Sequence, residues 1–228
     1  MKTASRLLAS ICFVLLLQSI AASQSTITGA LNAIKAGDVR LALRLLDDVE
    51  DVNVENGALL YEAILQHQYE AILQHQSDII DKLLTRGADP NLRDDLLQIT
   101  VLNKRDSITL LLLSRGADPN RHSPYGGMSS LSEASMQGNI VIMRALIEKG
   151  ADVNYNDYVG SGTPLILAIE QNKYDAVQLL LDKGADPSIG AKFHGYPWEI
   201  ATKGKNKRML DLLMRYRSNC KEEPEQCK

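Results

Sequence analysis

The sequence predicts an all-α solenoid of stacked helix–turn–helix repeats, and three observations carry that reading. The segments RGADPN (86–91), RGADPN (115–120), KGADVN (149–154) and KGADPS (183–188) repeat one pattern, with glycines at Gly87, Gly116, Gly150 and Gly184 spaced by 29, 34 and 34 residues. A fixed period in this range belongs to architectures in which each repeat buries its apolar face on its neighbour. Between the glycines, apolar residues recur at helical rather than alternating spacing. With 228 residues, 45% of them hydrophobic, the chain has ample apolar material for such a core.

The clearest copy, GTPLILAIEQNKYDAVQLLLDKGADPS (162–188), gives the template. Thr163 is placed to cap a helix and Pro164 suits the first helical position, where no N–H partner is needed. Leu165 and Ala168 share a face three residues apart, and the small Ala168 admits a close neighbour. EQNK is a short turn. Ala176, Val177, Leu179, Leu180 and Leu181 make a second apolar helix that Gly184 ends, because glycine accepts the left-handed conformation there. Asp186 and Pro187 then turn the chain into an extended finger.

Taken in order, the chain begins MKTASRLLASICFVLLLQSIAASQS. Lys2 and Arg6, an apolar stretch over 7–17 and small residues at Ser19, Ala21, Ala22 and Ser23 are the layout of a secretory signal peptide, assigned to residues 1–23. The apolar run is shorter than the roughly 20 residues a spanning helix needs, and no other run is long enough, so no membrane span is expected in the mature chain. Losing Lys2 and Arg6 takes the net charge from −3 to −5, which does not suggest a nucleic-acid surface. Six repeats follow within residues 24–217: 25–54, 55–91, 92–120, 121–154, 155–188 and 189–217. Leu97 and Thr100, Leu131 and Ala134, and Trp198 and Ala201 align with Leu165 and Ala168, and Ala33 aligns with Ala168. Trp198 therefore reads as a packing residue. The last repeat lacks a closing GAD, and the charged and polar end of its second helix reads as a terminal cap.

Residues 61–76 are one octapeptide written twice, YEAILQHQ YEAILQHQ. Asp51 to Asp89 spans 38 residues, and removing one octapeptide leaves 30, close to the 29 from Asp89 to Asp118. The duplication is therefore an insertion in the second repeat. Leu60 and Ala63 take the core positions with the first copy. Neither copy contains Gly or Pro, so the expectation is one lengthened helix near 58–75. His67 and His75 lie eight apart and about 80° apart around a helix, which does not suit a metal pair.

The TPLILA segment at 163–168, the four GAD turns and the period together resemble the ankyrin repeat over nearly the whole mature chain. That resemblance implies a non-catalytic module that binds another protein through its finger turns and concave face. A signal peptide followed by one such array is similar to bacterial envelope proteins, which places the chain in the periplasm or outside the cell. Some such proteins neutralise a toxin acting in the periplasm, such as a lipase; a scaffold or stress-protective role and an effector exported to a host cell are other readings. No catalytic, phosphate-binding or metal-ligand motif occurs, so no enzyme activity, cofactor or metal is expected, and the free chain is expected to be a monomer. The fingers RHSPYGGM, YNDYVGSG and IGAKFHGY supply the candidate partner-binding residues Arg121, His122, Tyr125, Tyr155, Asp157, Tyr158, Lys192, Phe193 and Tyr196. Aromatics and arginine are common interface anchors, but the same side chains could cover the edges of adjacent repeats. The third repeat's short finger, Arg93, Asp94 and Asp95, opens a groove floored by repeats three and four. The acidic tail, 218–228, holds Cys220 and Cys227, and an even pair in an exported chain points to a disulfide, with two free thiols as the alternative.

Overall fold

The GAD turns organise the structure, a computed structural model that describes residues 21–65, 73–122, 127–156, 160 and 162–217. At each turn the glycine is left-handed, with φ of 88° at Gly87, 89° at Gly116, 90° at Gly150 and 89° at Gly184. The following Ala N–H then bonds back to a helix carbonyl, as Ala151 does to Leu146 at 3.0 Å and Ala185 to Leu180 at 2.9 Å. This closure satisfies carbonyls that a helix end leaves open. The alanine is buried because the turn folds under the helix. The aspartate accepts from the N–H two residues on, Asp152 from Asn154 and Asp186 from Ser188, at 2.9 and 2.8 Å. Such Asx turns start the finger.

The last residue of the pattern has a role that the sequence reading did not assign. Asn120 donates to the Gly150 carbonyl and accepts from the Asp152 N–H, both at 2.8 Å. Asn154 does the same to Gly184 and Asp186 at 3.3 and 2.8 Å, and Asn53 to Gly87 and Asp89 at 3.0 and 2.7 Å. Each asparagine clamps the turn of the next repeat. Asn154→Ala removes two such bonds at once and is expected to cost about 1–2 kcal/mol, measurable as a lower urea midpoint; an unchanged midpoint would show that water replaces the clamp.

The described chain falls into two compact parts, divided between Arg93 and Asp94. The first holds α1 (21–36), α2 (Val39–Asp47), α3 (Val54–Leu65) and α4 (Leu73–Thr85). The second holds α5 (Leu96–Leu102), α6 (Asp106–Ser114), α7 (Ser130–Gln137), α8 (Ile140–Glu148), α9 (Pro164–Glu170), α10 (Tyr174–Asp182), α11 (Pro197–Lys203) and α12 (Lys207–Arg217). In the second part α5, α7, α9 and α11 pack in sequence as one layer, and α6, α8, α10 and α12 as the other. This is the expected all-α repeat solenoid, and no strand occurs among the described residues, only the isolated bridge Ala191–Gly195.

The template positions are occupied as expected except at Trp198, which is exposed. Leu97, Leu131, Leu165, Thr100, Ala134, Ala168 and Ala201 are all buried. Thr163 accepts from the Ile166 N–H at 3.3 Å with Pro164 behind it, and Ser129 plays the same part for α7. Thr100 is tolerated in an alanine position because its hydroxyl donates to the Leu97 carbonyl at 2.7 Å, so burial leaves no unmet donor.

The duplicated octapeptide does not form the expected single helix over 58–75. Tyr61–Leu65 of the first copy end α3, Leu73–Gln76 of the second begin α4, and α3 and α4 pack on one another as a pair. Residues 66–72, with His67 and Ala71, lie outside the described residues. In the other GAD-ended repeats the second helix has nine residues and ends two before the glycine; α4 ends at the same place but has 13. The insertion therefore adds a turn to the start of α4. Leu60, Ala63 and Ile64 are buried on α3, and Ile79, Ile80 and Leu83 on α4. Pairing these two stripes outweighs the helix propensity of the uninterrupted sequence. Deleting Tyr69–Gln76 returns α4 to the common length. We expect the shortened chain to fold cooperatively, with a thermal midpoint within about 3 °C of the parent; loss of the cooperative transition would show that the extra turn supports the fold.

Candidate functional site

The finger turns are positioned by the Asn clamps and divide into two groups. In the first, Arg121 forms an ion pair with Asp94 at 2.5 Å, both side chains about 40% exposed. At that exposure the pair contributes little stability, but it fixes the guanidinium across the short finger of the third repeat. His122 Nδ1 lies 2.9 Å from the Asn120 carbonyl. Its ring meets Tyr155 edge-on, with centroids 4.9 Å apart and planes at 70°. The Tyr155 hydroxyl donates to the Gly127 carbonyl at 3.2 Å. Arg121, His122 and Tyr155 are thus half-buried between neighbouring fingers, joining adjacent repeats while presenting one edge to solvent. Tyr125, Asp157 and Tyr158 lie outside the described residues, as does the Cys220–Cys227 pair.

The second group is the last finger. Ala191 and Gly195 exchange backbone hydrogen bonds at 3.0 Å, which closes a tight hairpin with Lys192, Phe193 and His194 at its tip. His194 Nδ1 reaches Glu170 Oε1 at 2.5 Å, tying the tip to the end of α9. Phe193 is 72% exposed and its ring edge rests over Gly160, where a Cβ would come within 2.8 Å of it. The Lys192 ammonium lies 5.3 Å from the Phe193 ring centre, within cation–π range. Tyr196 is exposed and lies across Gly190; its N–H donates to Glu199 Oε2 at 3.0 Å.

Two features of the helical layers were not anticipated. Helix α7 buries Ser130, Ser132, Glu133 and Ser135. Gln137 Nε2 joins Glu133 Oε1 at 2.9 Å to the Val101 carbonyl at 3.0 Å, and so links α7 to α5. The only sequence signal was the unusual polarity of SSLSEASMQ in a helix that the template makes apolar. Trp198 is the second: read as a packing residue, it is 48% exposed, against 0% for Leu165 at the matching position. Among the described residues, two groups have shifted protonation equilibria. Burial lowers the Arg105 pKa, and a hydrogen bond to Asp182 raises that of the Tyr216 phenol. Among the described residues no cluster of three or more His, Cys, Asp or Glu is arranged to hold a metal. Among those residues no helix is long and apolar enough to cross a membrane.

Stacked helix pairs joined by rigid fingers define a repeat scaffold of the protein-interaction class. Residues 96–191 match a family described as ankyrin repeats (3 copies), so this stretch consists of ankyrin repeats. Among solved structures the fold is similar to that of EF0377, an ankyrin repeat protein, with a TM-score of 0.67 and 26% identity, over 82% of this chain and 97% of that one. Comparison with curated protein sequences gives no significant match.

Proposed function

We propose that the chain is a non-catalytic protein-binding module of the bacterial envelope, exported by its N-terminal leader, and that it grips a partner with its finger turns and concave face. The observation that supports the binding part of this reading is the last finger: a closed hairpin, tied down by His194 and Glu170, that holds Phe193 at 72% exposure beside Lys192. An aromatic held rigidly in solvent loses little freedom on binding and so suits an anchor. Arg121, His122 and Tyr155 offer a second, flatter contact, which Tyr125, Asp157 and Tyr158 extend in sequence. The two narrower readings differ in the partner: an immunity protein binds a toxin acting in the periplasm, and an effector binds a host protein.

Co-purification from periplasmic extract is expected to yield one stoichiometric partner. Phe193→Ala, and the combined Tyr125, Tyr155 and Tyr158 alanine variant, are each expected to weaken that complex by about tenfold or more, measured by calorimetry. Unchanged affinity in both would remove the fingers from the interface. A toxin encoded beside this gene and recovered as the partner selects the immunity reading.

A further inference from the structure

The C-terminal end of the second part is left apolar. Helices α11 and α12 begin 33 residues after α9 and α10, so their positions correspond directly. Leu165, Leu167, Val177 and Leu181 are buried, at 5% exposure or less, in the pair over which α11 and α12 pack. Their counterparts are Trp198 and Met214, 48% and 64% exposed, and Ile200 and Leu210, half-buried. Among the described residues no further helix pair covers them. Helix α12 carries exposed charge at Asp211 and Arg215, while the positions that would face a following repeat are apolar.

The same two helices and their turn carry mostly basic charge, although Arg208 lies back over the Tyr174 ring of α10. Residues 197–217 carry six basic side chains and two acidic ones in a chain of net charge −3. Lys203, Lys205 and Lys207 are exposed on the turn between α11 and α12, and Asp211 is the exposed acid on α12. The segment 218–228, SNCKEEPEQCK, offers no Leu, Ile, Val, Met or aromatic side chain to fill the face. A second copy docked through this same face would bring two sets of like charges together, which costs affinity.

We propose that this end face docks an acidic amphipathic helix of a partner protein, in the position that a following repeat would take. The partner's apolar stripe covers Trp198, Ile200, Leu210 and Met214, and its carboxylates meet the lysine-bearing turn. This is a different surface from the fingers, and it can bind whether or not they do.

Trp198 is the chain's one tryptophan, so its emission reports on this face. The probe is a synthetic helical peptide of leucine-faced, glutamate-rich heptads; its counterpart with lysine replacing glutamate is the control. We expect the glutamate peptide to shift Trp198 emission to the blue saturably, and to bind about tenfold or more tighter than the lysine peptide. Met214→Glu and the double variant Lys203→Glu/Lys207→Glu, with circular dichroism confirming their helices, should each lower its affinity by about tenfold. The proposal is overturned if emission does not move, or moves equally with both peptides. It is also overturned if only vesicles of anionic lipid produce the shift, which assigns the face to a membrane, or if the chain alone buries Trp198 in a concentration-dependent dimer.

Discussion

Leu131→Ala is expected to destabilise the chain by about 3–4 kcal/mol, among the largest effects of any single truncation. Leu131 has no exposed surface and sits on α7, which packs against α5, α8 and α9. A cavity there lies between repeats on both sides and cannot collapse without moving both layers. Leu213 on α12 has the same chemistry, but among the described residues its helix pair has a neighbouring pair on one side only. Leu213→Ala should therefore cost about half as much, because end repeats contribute one interface instead of two. Urea unfolding reads both. A lower midpoint with an unchanged slope for Leu131→Ala means the repeats still unfold together; a reduced slope means the gap has uncoupled them. Equal losses at the two sites would contradict nearest-neighbour stacking as the source of stability.

The same stacking explains which parts of the structure were legible in the sequence. The glycine, alanine and aspartate of GAD each answer a local demand: a left-handed residue, a small buried one and an Asx turn. Local demands leave a residue signature at a fixed place. Asn120 and Asn154 answer a demand made by the next repeat about 30 residues away, and nothing beside them in the chain announces it. The octapeptide misled for the complementary reason. Its composition favours a helix throughout, yet the buried stripes of α3 and α4 decide where the helices lie. Trp198 occupies the position that alignment assigns it, but burial there depends on what packs over it, and that is a property of the neighbour and not of the position. The fingers were legible as a set of aromatic and basic residues. Their division into His122 and Tyr155 packed between repeats, and Phe193 held outward, depends on side-chain geometry that spacing does not encode.

Gly162→Ala tests how tightly the last finger is seated, and the expected cost is about 3 kcal/mol. Two penalties combine there. The backbone has φ of 97°, which an L side chain adopts only with strain, and an added Cβ would come within 3.0 Å of both Ala191 Cβ and Ile166 Cγ2. Ile166 belongs to α9 and is wholly buried, so it has little room to move. Relief must come from Ala191, which anchors the hairpin carrying Phe193. Gly150→Ala separates the two penalties: its φ is 90°, but nothing lies within 4 Å of the new Cβ. It should lose only the conformational part, about 1–2 kcal/mol. The excess at Gly162 measures the close approach, and it should appear together with weaker partner binding, since displacing Ala191 displaces Phe193. If Gly162→Ala lowers stability no more than Gly150→Ala and leaves partner affinity intact, the finger is not held by this contact, and the rigidity that makes Phe193 an anchor must come from the Ala191–Gly195 hydrogen bonds and the His194–Glu170 tie.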